Sequence, residues 1–91
     1  MIRSFRHKGL AAFFLDNDPR GVRPDLLMRC QARLRALHSA QALRDLNVPG
    51  FNFHPLRGKP QRYSLHVNGP WCITFEWEDG AAVRVDLEQY H

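Results

Sequence analysis

The chain has 91 residues, 44% hydrophobic and 24% charged, which allows one domain (residues 1–91) with one sheet and helices on one side, and excludes a second core. Thirteen Lys and Arg against nine Asp and Glu leave a net charge of +4, too moderate to name a nucleic-acid partner by itself. Two cysteines, Cys30 and Cys72, exclude a disulfide framework, and no apolar run reaches membrane length or forms a secretory leader, so the expected compartment is the cytoplasm, with no membrane partner.

In chain order, Met1 to Phe5 reads as a short edge strand. From Lys8 to Asp16 the spacing of Leu10, Phe13 and Phe14 is helical, and Asn17-Asp18-Pro19-Arg20-Gly21 ends the helix. Pro24 then stands near a first helical position, and a second helix runs to about Ala40. Its apolar stripe is Leu27, Cys30, Leu34 and Leu37, with Arg29, Arg33 and Arg35 pointing elsewhere into solvent. Gln41 to Leu46 adds a helical turn before Asn47-Val48-Pro49-Gly50 breaks it. Phe51 to Pro55 alternates, with Phe53 inward and Asn52 and His54 outward. Leu56 to Arg62 is a basic loop containing Gly58 and Pro60.

Three strands follow. Trp71-Cys72-Ile73-Thr74-Phe75-Glu76-Trp77 carries large apolar residues at its odd positions, as do Tyr63, Leu65 and Val67 before it and Val83, Val85 and Leu87 after it. Parity fixes the pairing, because a slip of one residue sends an apolar row into water. A loop at Asn68-Gly69-Pro70 pairs Leu65 with Ile73 and Tyr63 with Phe75. A loop at Glu78-Asp79-Gly80 pairs Ile73 with Val85 and Trp71 with Leu87. The opposite face then carries polar rows His66, Cys72, Asp86 and Ser64, Thr74, Arg84 and Arg62, Glu76, Ala82. The expected fold is α+β: two N-terminal helices packed on one face of a small antiparallel sheet.

At this point particular residues resemble a known family. Ile2-Arg3-Ser4-Phe5-Arg6-His7-Lys8-Gly9-Leu10, Pro49-Gly50-Phe51 with His54-Pro55-Leu56-Arg57-Gly58, Val67-Asn68-Gly69 before Trp71, Ile73-Thr74-Phe75 and the terminal Tyr90-His91 resemble the HigB toxins of the RelE-like superfamily. The resemblance runs through the chain at matching spacing. It implies a toxin of a type II toxin–antitoxin system, an endoribonuclease that enters the ribosomal A site and cuts translated mRNA. It also implies neutralisation by a HigA-type helix-turn-helix antitoxin, through which alone operator DNA is reached. His54, Tyr90 and His91 match the family's catalytic positions, and Arg57 stands where the family usually has lysine. Two positions depart from the pattern: Cys72 replaces a sheet arginine and Gln89 replaces an aspartate.

RNA cleavage through the 2′-OH without metal needs a base for that hydroxyl, an acid for the leaving 5′-oxygen and cations for the phosphorane. Histidine suits the first two roles because its unperturbed pKa is near neutrality, so His54 and His91 are the candidates, with base and acid unassigned. Tyr90 orients the 2′-OH or stacks on a base. Arg57, Lys59, Arg62 and Arg84 are candidate phosphate contacts, with Arg84 the residue that compensates for Cys72. No cofactor is implied. Two other readings stay open: a weakened or inactive homologue that binds antitoxin and ribosome, and a zinc-binding protein using His66, Cys72 and Asp86. The last lacks any CxxC or HxxxH spacing. His7 and His38 are expected at the surface.

Overall fold

The computed structural model describes residues 1–90 of the chain. Helix α1 (Lys8–Asp16) leads through a 3₁₀ turn at Pro19–Gly21 and another at Pro24–Leu26 into helix α2 (Leu27–Ser39). A third such turn, Leu43–Leu46, precedes four strands: β1 (His54–Pro55), β2 (Tyr63–Asn68), β3 (Trp71–Glu78) and β4 (Ala81–Gln89). They form one antiparallel sheet in the order β1-β2-β3-β4, with α2 lying against β2 and β4. The expected α+β arrangement is the one observed.

The core forms where the two apolar patterns meet. Leu10, Leu26, Cys30, Leu34, Leu37 and Leu46 pack against Leu65, Val67, Ile73, Phe75 and Val85, all essentially without solvent contact. Each such aliphatic or aromatic side chain contributes roughly 1.5–3 kcal/mol by leaving water. Burial pushes the Cys30 thiol up to about 11, so it acts as a small apolar residue rather than a nucleophile. Helix α1 starts on His7, whose Nδ1 accepts the Leu10 N–H at 3.0 Å, a capping role that composition did not announce. Its second residue, Gly9, lies so close to Gly21 that a Cβ there would sit 2.2 Å from the Gly21 carbonyl oxygen. That contact seats α1 on the Pro19–Gly21 turn.

The first hairpin keeps the expected register over Tyr63–Phe75 and Leu65–Ile73, with Val67 bulged out so that Asn68 faces Trp71. The second does not. Its turn is the two-residue Asp79-Gly80, with Glu78 opposite Ala81, Trp77 opposite Ala82 and Glu76 opposite Val83. A bulge between Thr74 and Glu76 then shifts the ladder, so that Ile73 faces Leu87 and Trp71 faces Gln89. Periodicity could not show this, because one extra residue in β4 restores the same parity that a longer loop would give. The bulge holds Arg84 at φ 50°, in the left-handed region, where its N–H bonds Ser4 Oγ at 2.8 Å.

Three further expectations change. Met1 to Phe5 does not form a continuous strand: Ile2 and Phe5 make single parallel bridges to Ala82 and Val85, interrupted where the bulge turns Arg84 away. Only His54 and Pro55 of the Phe51–Pro55 stretch are strand, because Asn52 takes φ 46° and breaks the extended run. Arg33 does not point into solvent with Arg29 and Arg35. It is buried, with Nε donating to the His66 carbonyl at 2.8 Å and the guanidinium 4.5 Å from the Phe51 ring centre.

Candidate active site

The sheet's second face is where the polar residues of all four strands converge. The observed register makes one row of His54, Ser64, Thr74 and Asp86 and another of His66, Cys72 and Glu88. The β4 bulge therefore replaces Arg84 by Asp86 beside Thr74, and Asp86 by Glu88 beside Cys72. The trio His66, Cys72 and Asp86 is not a row, and among the described residues no group of three or more His, Cys, Asp and Glu could hold a metal ion.

This face is covered rather than solvated. Ser64, Cys72, Thr74 and Glu76 are all buried. Their cover is an ion network. Glu76 accepts from Arg62 at 2.6 Å and from Arg84 at 2.8 Å, and Arg6 lies 3.9 Å from it and 3.9 Å from Asp86. Arg62 also donates to Thr74 Oγ1 at 3.1 Å and to the Arg84 carbonyl at 3.0 Å, while Arg84 reaches a second carboxylate, Glu78. Thr74 Oγ1 donates in turn to Glu88. Hydrogen bonds from Arg84, and then from Arg62, hold the Glu76 carboxyl below its ordinary value against the opposing effect of desolvation. Arg84 is raised by the same contact.

The predicted residues fall in different places. His54 lies on the polar face at the β1 edge, exposed, with Nδ1 2.8 Å from the Asn52 carbonyl oxygen. Arg57 and Lys59 stand exposed on the adjoining loop, without an ion-pair partner among the described residues. That loop is closed by the Leu56 N–H on the Arg62 carbonyl at 2.8 Å and by the Gln61 amide bridging the Leu56 and Arg62 carbonyls. Arg62 and Arg84 are instead committed to carboxylates in the floor. Cys72 is buried, not exposed as its polar-face parity led one to expect. Gln89 faces Trp71 across the ladder.

Tyr90 is 44% exposed and tied down by its N–H on the Pro70 carbonyl at 2.7 Å. It leaves β4, the strand at the edge of the sheet opposite β1 and His54. His91 lies outside the described residues. Sequence reasoning missed Glu76 as the hub of the floor. A glutamate alternating with large apolar residues, with Arg62 opposite it, was the available signal.

This disposition has relatives. The chain matches the family described as RelE-like toxin of type II toxin-antitoxin system HigB over residues 3–91. The chain belongs to the HigB-like toxins. It is 37% identical over 92 residues to the Endoribonuclease HigB of Proteus vulgaris, covering 100% of both chains. It is also 31% identical over 93 residues to Toxin HigB-1 of Vibrio cholerae serotype O1, covering 99% of this chain and 98% of the other. Among the described residues, no helix of this HigB-like toxin is long and apolar enough to cross a membrane.

Proposed function

We propose that this HigB-like toxin is a ribosome-dependent endoribonuclease that cuts translated mRNA by acid–base attack of the ribose 2′-OH. The observation that carries the reading is the end-to-end match to a relative named as an endoribonuclease. The placement of His54 on a polar face beside two outward cations supports it. In the mechanism, a base takes the 2′-OH proton as that oxygen attacks phosphorus, and an acid protonates the departing 5′-oxygen. His54 and His91 take these roles, with each worth about 10²–10⁴ in rate. Tyr90 orients the ribose or stacks on a base. Arg57 and Lys59 contact the phosphates. Arg62 and Arg84 act through the floor they build, since their guanidinium groups are already occupied. So few acid–base groups make the reaction depend on the ribosome to hold the substrate in line. The partner that restrains the toxin is a HigA-type antitoxin, which alone contacts operator DNA, and the compartment is the cytoplasm.

A second reading, a weakened toxin that binds antitoxin and ribosome but cuts poorly, is favoured by one observation. The positions that would offer cations at the centre of the sheet hold a buried Cys72 and two carboxylate-bound arginines.

Purified ribosomes translating a defined mRNA, with the toxin or its His54→Ala variant added, test the first reading against the second. Breaks within translated codons that disappear with His54→Ala support the nuclease. Intact message together with tight antitoxin binding supports the weakened toxin.

A further inference from the structure

The backbone ahead of His54 is held more firmly than an exposed segment requires. From α2, the buried Arg33 donates Nε to the His66 carbonyl at 2.8 Å and Nη2 to the Gly50 carbonyl at 3.3 Å, and covers the Phe51 ring at 4.5 Å. The His66 N–H returns to the Phe51 carbonyl at 2.7 Å. Residues 50 and 51 are thereby fixed to α2 and β2 together. Asn52 follows in the left-handed region at φ 46°, which asparagine adopts more readily than other non-glycine residues. That conformation brings the Asn52 carbonyl oxygen to 2.8 Å from His54 Nδ1.

A carbonyl can only accept, so Nδ1 carries the hydrogen. In the neutral ring the lone pair is then on Nε2, and in the imidazolium Nε2 bears the second N–H. We propose that Nε2 of His54 is the atom that exchanges a proton with the RNA, and that Arg33 is a positioning residue that fixes it by clamping residues 50 and 51 ahead of Asn52. The inference rests on the nuclease reading above. If His54 is the base, Nε2 takes the 2′-OH proton as the O–P bond forms. If it is the acid, the Nε2–H goes to the 5′-oxygen as the P–O bond breaks. In either case the proton stays on Nδ1, donated to the Asn52 carbonyl, which also steadies the charged ring.

The test is the ring ¹⁵N spectrum of the full-length, ¹⁵N-labelled protein, recorded with His54 neutral and paired with single-turnover cleavage on programmed ribosomes. The wild type is expected to show protonated Nδ1 and unprotonated Nε2. Arg33→Met is expected to give a mixture of tautomers and to lower kcat about tenfold or more with KM little changed. Arg33→Lys, which keeps the charge but not the fork, restores less than half of that loss. Should Arg33→Met not fold, Asn52→Val at an exposed position forces the backbone out of the left-handed region and is expected to give the same mixture, while Asn52→Gly keeps the wild-type spectrum. A wild type that cleaves RNA with hydrogen on Nε2, or an Arg33→Met with wild-type spectrum and kcat, overturns the inference and leaves the nuclease reading standing. A wild type that never cleaves overturns both.

Discussion

Arg62 and Glu76 meet at 2.6 Å on the polar face, with only 12% and 8% of their side chains exposed. Arg84 approaches Glu76 from β4 and Arg6 from the N-terminal segment. One carboxylate thus joins three separate stretches of chain on this face, so its removal should be felt as stability first.

Glu76→Gln keeps the shape but removes the charge. Arg62 then has a buried guanidinium without its counter-charge, at a cost of about 2 kcal/mol. The pH dependence has a definite sign. The carboxyl is held below its ordinary value of 4.5 in the folded state, so the unfolded chain takes up the proton first on acidification. Its stabilisation is complete above about pH 5 and fades as pH falls through the folded value. Thermal unfolding from pH 3 to 7 should show a shallower acid limb for Glu76→Gln than for the wild type. Parallel limbs would mean that Glu76 does not carry this linkage.

The bulge at Arg84 separates backbone from charge. Arg84→Gly and Arg84→Val both lose the bonds to Glu76 and Glu78, but only valine must hold a β-branched side chain at φ 50°. The valine protein should melt about 5 °C below the glycine one. Equal melting temperatures would indicate that the ladder re-registers, bringing Ile73 opposite Val85 through a three-residue loop at Glu78-Asp79-Gly80.

That comparison also shows what the sequence could and could not reveal. Odd-position apolar residues from Tyr63 to Leu87 determine which face meets the helices, because exposing such a row is costly, so the fold class and the helix-facing core were readable. The spacing of Leu10, Phe13 and Phe14, and of Cys30, Leu34 and Leu37, likewise reports burial. The β4 bulge was not readable, since Ala81 to Gln89 satisfies the same alternation with or without it. The rows of the polar face depend on that single inserted residue, and so Asp86 and Glu88 were exchanged for Arg84 and Asp86. Arg33 escaped notice for a different reason. Its partners are the backbone carbonyls of Gly50 and His66, which no side-chain pattern announces. The outward expectation for His54 comes from its alternation with Phe53, and the pairing with Ser64 puts it on that face.

Arg57 and Lys59 should govern attraction to the nucleic acid rather than the chemical step. Each is exposed on a loop closed by backbone and Gln61 contacts, so replacing either by alanine leaves the floor intact. Binding of a single-stranded RNA to catalytically inactive His54→Ala protein, titrated against salt, should lose about 0.7 from the log–log slope for each cation that meets a phosphate. An unchanged slope in the Arg57→Ala, Lys59→Ala double variant would place the RNA elsewhere on the protein.

Cys72 is the remaining lever on rate. It stands across the ladder from His66 on one side and Glu88 on the other, one row from Ser64 and Thr74. An arginine introduced there has a carboxylate, Glu88, within cross-strand reach to orient it, and its length carries the guanidinium past the ion network toward the substrate side. A preorganised cation at the reacting phosphate is worth on the order of 10²–10³ in rate, of which a newly placed one should recover at least tenfold. Cys72→Met supplies comparable stem volume with no charge and controls for packing. Single-turnover cleavage on programmed ribosomes should therefore rise for Cys72→Arg and not for Cys72→Met. A gain shared by both variants would trace to desolvation of the floor. A gain in neither would count against an intact site weakened at this position.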